Sequence, residues 1–304
     1  MRAIFWLLKF VVQAGVVLVG ILLIIQLFTG GFNRGVFSAG GSSRQWSDWP
    51  AAGGELQPLS GPAAVTIFAG WRQEQVAQSL HLNGVMDANR FYRVSKQGVG
   101  VNHPLLADRP PGQSFEGYLF PGTYTIQPDT TPAQLITMML DNMARQLPPD
   151  AVELARRQGL TFYQAITLAS IVEREAVLDS ERPLIASVYL NRLRSDGDAA
   201  LLQADPTVQY AMGYQKAANQ WWKSPVSLEE YSAVDSPYNT YLHPGLPPGP
   251  IASPGIKSIN AVLYPASTNY RFFVCRWPGC EGGEHVFAAT YDEHLQNVAA
   301  YYGN

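Results

Sequence analysis

The run LTFYQAITLASIVEREAV places a carboxyl group where a packed face is expected. At about 100° per residue from Phe162, the positions Ala165, Ile166, Ala169, Val172 and Ala176 form one apolar stripe, and Glu173 falls inside it. A carboxyl turned toward packed side chains loses solvation, which favours its proton-bearing form, the condition of a general acid at neutral pH. The same position equally suits an ion pair with a buried arginine of the next helix, such as Arg192 or Arg194, and the stripe does not choose between the two. Glu175 lies on a polar flank beside Arg174 and reads as half of an exposed ion pair.

Two further segments carry groups suited to a neutral, hydroxyl-rich ligand. In LLQADPTVQYAMG, Gln203, Asp205 and Thr207 alternate and would share one side of an extended segment, and Asp205-Pro206-Thr207 also reads as the cap and first turn of a helix. The stretch SPYNTYLHPGLPPGPIASPG has six prolines and three glycines, so it is neither regular helix nor central strand. Its apolar residues suit an ordered loop, one that exposes Tyr238, Asn239, Thr240 and Tyr241 as a groove wall. Rings pack on sugar C–H faces, and amides bond to hydroxyls. Cys275 and Cys280 sit five positions apart around a Trp-Pro-Gly turn. That spacing suits a short disulfide, whereas a metal site would need more ligands at recognisable spacing, so no metal and no cofactor is expected. A serine or cysteine hydrolase is disfavoured, because there is no G-x-S-x-G and neither cysteine has a recognisable base beside it.

These residues need elements to hold them. AVTIFAG alternates as a strand, and RQEQVAQSLHLNGV and MDANRFYRVSKQG follow as helices, so residues 64–108 read as a small strand-helix-helix module. From 109 to 304 the pattern is mixed. SFEGYLFPGTYTI should be strand, turn, strand, and TPAQLITMMLDNMARQL a helix capped by Thr131 with Pro132 at its first position. The Glu173 helix is followed by ERPLIASVYLNRLRS, with Ser180 as its cap. YRFFVCRW and HVFAATY alternate as strands before a last helix around DEHLQNVAAYY.

Over the whole chain of 304 residues, 47% are hydrophobic and only 15% charged, against a usual charged share of about a quarter. A net charge of -3 offers no basic field to collect phosphates, so a nucleic-acid partner is excluded. Residues 10–28 are apolar except for Gln13 and Gln26, enough to cross a core of about 30 Å. Arg2 and Lys9 flank the amino end. The positive-inside rule therefore expects residues 1–28 to be a cytoplasmic end and single transmembrane anchor, 29–63 a Gly/Ser/Pro-rich linker, and the remainder to lie outside the inner membrane. A cleaved signal peptide would export the same domain. The expected fold class is α+β.

LASIVEREA, LLQADPTVQYAMG, SPYNTYLHPGLPPGPIASPG and HVFAATYDEH, in this order and preceded by EGYLFPGTY, resemble the MltG/YceG-type endolytic murein transglycosylases from about Ser114 onward. The 64–108 module resembles that family's LysM-like subdomain only in position and pattern, and the CRWPGC insertion departs from the family. The resemblance implies a membrane-anchored enzyme that cleaves the β-1,4 bond between N-acetylmuramic acid and N-acetylglucosamine in peptidoglycan without consuming water. It acts within strands, with nascent strands as substrate and glycan synthases or elongation proteins as neighbours. It implies Glu173 as the one acid and base, with Gln203, Asp205, Thr207, Tyr238, Asn239, Thr240 and Tyr241 positioning substrate, and Glu116, Tyr118 and His285 in support. A water-using muramidase and a non-catalytic glycan-binding scaffold are the alternatives. The sequence does not decide oligomeric state.

Overall fold

The computed structural model describes residues 56–303. The expected anchor, and the linker up to residue 55, lie outside them. No described helix is long and apolar enough to cross a membrane.

β1 (Ala63–Ile67) pairs antiparallel with β2 (Gly122–Ile126), with Ala63 opposite Ile126 and Ile67 opposite Gly122. The period of two turns Val65, Ile67, Tyr124 and Ile126 into the core, while Thr66 and Thr123 join hydroxyls at 2.9 Å on the other face. Between the strands lie α1 (Gln73–Leu82) and α2 (Ala88–Gln97). The Asp87 side chain caps α2 by accepting from the Arg90 amide, and Gly98 ends it in the left-handed region. The strand-helix-helix pattern therefore closes with a second strand drawn from beyond residue 108. One hydrophobic core runs from Val65 to Leu263, so position 108/109 marks no break in it.

The expected first strand of SFEGYLFPGTYTI is absent. Phe115, Tyr118, Leu119 and Phe120 are all buried, which no alternating strand permits, and Gly117 bends the chain at φ +85°. α3 (Pro132–Gln146) has Thr131 at its cap in a reciprocal box with Gln134, and Met139 and Met143 fill the core. After α4 (Ala151–Arg157) comes α5 (Phe162–Glu175), capped by Thr161 and Gln164. The Asp108 carboxylate accepts from the Phe162 and Tyr163 amides, a favourable charge at a helix start. From Phe162 to Val172 only Gln164 escapes burial, so α5 is the molecule's central rod.

α6 (Arg182–Leu193) and α9 (Ile256–Leu263) pack against α5 and against each other. Ser180 does not cap α6, because a 3-10 turn over Asp179–Glu181 leads directly into it. α7 (Asp205–Met212) and α8 (Leu228–Ala233) lie between them in sequence. Residues 236–255 form an irregular loop that carries Ile251 into the core. β3 (Phe272–Cys275) and β4 (His285–Ala288) make an antiparallel hairpin, and α10 (Tyr291–Tyr302) packs on it. Strands and helices are thus mixed along one chain, the α+β class expected.

Candidate active site

Glu173 is where the stripe places it, near the end of α5, but its surroundings are those of a staple. Its Oε2 accepts from the Gly255 amide at 3.0 Å, from Ser258 Oγ at 2.6 Å and from the Arg182 guanidinium at 3.4 Å. Gly255 is the cap residue of α9, so the carboxylate sits on that helix's N-terminus. Its arginine partner comes from the start of α6; neither Arg192 nor Arg194 pairs with it. Arg182 also donates to Ser258 Oγ at 2.5 Å. Three donors converge on Oε2 and join α5, α6 and α9, while among the described residues no donor reaches Oε1.

Glu175, two residues on, is no exposed ion pair. Tyr189 of α6 donates its hydroxyl to Glu175 Oε1 at 2.7 Å. Burial pushes this carboxyl up to about 7, and the Asp205 charge pushes the same way, while the Tyr189 bond and the Arg174 and Arg192 charges oppose them. Arg174 turns instead over the Trp222 ring, 4.1 Å from its centroid. A carboxyl that titrates near neutrality can both give and take a proton. The helical template put Glu175 on an exposed flank because the groups that enclose it, Tyr189 of α6 and Asp205, come from outside α5.

Asp205 stands at the first turn of α7. Its two oxygens accept from Tyr241 at 2.6 Å and Tyr231 at 3.0 Å, and those two rings stack with centroids 4.1 Å apart. Ala204, not Asp205, occupies the cap position, and the helix starts where Pro206 fits its first turn. Gln203 adopts φ +51° and remains exposed, its Oε1 accepting from Arg192 at 3.3 Å. The expected extended row of Gln203, Asp205 and Thr207 therefore does not exist.

Three of the expected groove residues face inward. Thr207 and Thr240 are buried with their hydroxyls 2.9 Å apart, and Thr240 Oγ1 also accepts from the Ala204 amide. Asn239 is fully buried; its amide donates to the Tyr231 and Val234 carbonyls, and its Oδ1 accepts from the Tyr241 amide. These groups hold residues 203–205 against 239–241 and have no face left for a ligand. Tyr238 packs on Tyr210, centroids 4.8 Å apart, away from Asp205.

The supporting residues lie in other places. Glu116 is buried, and its carboxyl accepts from the Gln73 amide at the start of α1 and from Tyr210 Oη at 3.4 Å. Burial raises it well above the carboxylate range. Arg72, beside it, lies over the Tyr210 ring at 4.1 Å. Tyr118 is buried and stacks on Tyr163. His285 lies at the β3–β4 hairpin beside the Cys275–Cys280 disulfide. A cavity of about 780 Å³ opens between α5 and the loop at Gly245–Pro248, but Glu175 does not line it.

Fold and site together define an α+β protein with a partly buried glutamate, held by a tyrosine and raised toward neutrality, near a tyrosine-held aspartate. The chain belongs to the YceG-like family, which residues 51–300 match. It is 36% identical to the endolytic murein transglycosylase of Bacillus subtilis over 195 residues, 64% of this chain and 47% of that protein. It is 32% identical over 253 residues to the Streptococcus pneumoniae D39 protein of the same name, 78% of this chain and 44% of that one. The chain thus spans just under half the length of the curated relatives it matches. A crystal structure of a yceG-like protein from Listeria monocytogenes superposes with a TM-score of 0.62 at 30% identity, covering 77% of this chain and 75% of that one.

Proposed function

We propose that this chain is an endolytic peptidoglycan transglycosylase in which Glu175 is the acid and base, with Glu173, the carboxyl singled out by the helical stripe, as the alternative. The observation that carries the reading is geometric: Tyr189 donates to Glu175 Oε1 at 2.7 Å near the Asp205 charge, and burial there raises the carboxyl. Glu175 protonates the glycosidic oxygen, and the N-acetylglucosamine leaves. The resulting carboxylate takes the proton from the muramyl 6-hydroxyl, whose oxygen closes on the anomeric carbon to form the 1,6-anhydro ring. No water is consumed. Asp205, its charge fixed in place by two tyrosine hydroxyls, faces the positive charge that develops at the anomeric centre. Exposed Gln203 is placed to contact a sugar hydroxyl, and Tyr241 and Tyr231 hold Asp205.

A second carboxylate near the first is the one feature that favours a water-using muramidase. Both Asp205 oxygens already accept a hydroxyl, which argues against a free base or nucleophile. The same reading has residues 1–28 anchor the enzyme in the inner membrane with its catalytic part outside, near nascent strands and their synthases. It gives the strand-helix-helix-strand unit a LysM-like role in holding glycan.

The test is mass analysis of products released from purified glycan strands by the full chain in detergent. Anhydro-ended internal fragments from wild type and none from Glu175→Gln support the proposal. Products heavier by one water favour the muramidase, and equal background from both proteins favours a scaffold.

A further inference from the structure

The β3–β4 hairpin carries a group of side chains that the glycan chemistry does not use. Cys275 ends β3 and His285 begins β4, directly opposite each other in register. Cys280 stands on the connecting turn, where it takes φ +59° and its amide donates to the Trp277 carbonyl. His285 is anchored twice to one buried carboxylate: its amide donates to Glu181 Oε1 at 2.9 Å, and its Nδ1 lies 2.7 Å from Glu181 Oε2. A carboxylate accepts, so Nδ1 donates to Glu181. The Nε2 lone pair then points at both sulfurs, 3.5 Å from Cys275 Sγ and 3.8 Å from Cys280 Sγ.

We propose that this cluster is a reduction-gated Zn²⁺ site, with Cys275, Cys280 and His285 as ligands. Two thiolates and an imidazole are the donor set that selects zinc. A carboxylate behind the imidazole is the arrangement that orients a metal-ligating histidine and raises its basicity. Tetrahedral zinc, with Zn–S of about 2.3 Å and Zn–N of about 2.0–2.1 Å, requires N···S separations of about 3.5 Å and an S···S separation of about 3.7 Å. Both N···S separations are already in place. Only the sulfurs must part. A disulfide that merely closed a turn would need no buried histidine, and no histidine held at both Nδ1 and its amide.

The gate is chemical. A dithiol breaks the Cys275–Cys280 bond, donating two electrons and two protons and becoming a disulfide itself. Zn²⁺ then displaces the two thiol protons to solvent, and water takes the fourth position, because Glu284 is engaged by Arg276 at 3.0 Å. Cys275 and Cys280 are only partly buried, so a reductant can reach them.

The test uses the purified full chain in detergent, oxidised or reduced with a phosphine that is then removed. Zn²⁺ is titrated in competition with a chromophoric chelator, and Co²⁺ serves as a spectroscopic probe. The expected result is one Zn²⁺ per reduced chain, bound at least about 100-fold more tightly than by the oxidised chain. Near-UV circular dichroism should be retained on reduction, and the Co²⁺ spectrum should show thiolate charge transfer. Glu181→Gln should weaken binding by about 10–100-fold. Cys280→Ser should weaken it at least as much. The proposal is overturned if reduced and oxidised wild type bind alike, if Co²⁺ shows no thiolate band, or if zinc is held only after the native near-UV signal is lost. The wild-type comparison decides the matter even where a variant fails to fold.

Discussion

At the residue scale, Glu173 and Glu175 show how two carboxyls on one helix are assigned different work by what packs around them. Glu173 accepts three donors through one oxygen, whereas Glu175 accepts one tyrosine hydroxyl and feels Asp205. Glu175→Gln should lower strand cleavage by about 10²–10⁴-fold, the usual worth of a positioned acid and base, with far-UV circular dichroism unchanged. Glu173→Gln should instead lower thermal stability, costing about 1–3 kcal/mol, because the Gly255 amide, the Ser258 hydroxyl and the Arg182 guanidinium lose their charged acceptor. Swapped outcomes would return the acid to Glu173. Since the acid must be protonated at the start, activity should fall as pH rises through about 7. Tyr189→Phe removes a bond that lowers the Glu175 carboxyl, so the falling limb of the pH–rate profile should move to higher pH. The helix and its packed face were legible at this scale. The choice between two glutamates was not, because α5 is buried nearly all round and only its tertiary neighbours tell the flanks apart.

At the scale of elements, the segment before α7 and the loop 236–255 form one assembly. Composition marked that loop as ordered, and its prolines, glycines and tyrosines explain why. Which amides face inward depends on carbonyls presented by α8, and no local pattern reports those. Asn239→Ala removes both donors to the Tyr231 and Val234 carbonyls, so it should cost about 1–3 kcal/mol in denaturant unfolding and slow cleavage by loosening Tyr241. The turn that replaces the expected strand at 114–121 offers a sharper comparison. A Cβ at Gly117 would meet Pro250 at 2.5 Å and Ile166 at 2.9 Å, whereas one at Gly100, with a similar positive φ, would meet nothing within 4 Å. Gly117→Ala should therefore lower the melting temperature several times more than Gly100→Ala. The excess measures packing, since the backbone strain is common to both.

At the scale of the whole molecule, the raised carboxyls link stability to pH. In the unfolded chain Glu175 titrates at about 4.3, and in the folded chain at about 7. Between those values the folded state holds more protons, so stability is greatest at the low end of the window and falls as pH rises through it. The full effect of Glu175 is about 4 kcal/mol. Glu116, raised by burial, adds in the same direction. Denaturant unfolding at pH 5 and pH 8 should show wild type weaker at the higher pH, and Glu175→Gln should shrink that difference without abolishing it. Net charge alone carries no trace of this slope, because it counts carboxyls without saying which are desolvated.

The pairing of β1 with β2 also constrains the order in which the chain can fold. Thr66 and Thr123, 57 positions apart, must meet before either strand has a neighbour. The Gln73 amide at the start of α1 likewise waits for the Glu116 carboxyl. As the chain emerges amino end first, the alternating strand Ala63–Ile67 therefore spends its early life as an unpaired edge, and the two helices behind it have no sheet to rest on. The amino-terminal sheet is therefore a non-local pairing, which forms only after a long loop has closed.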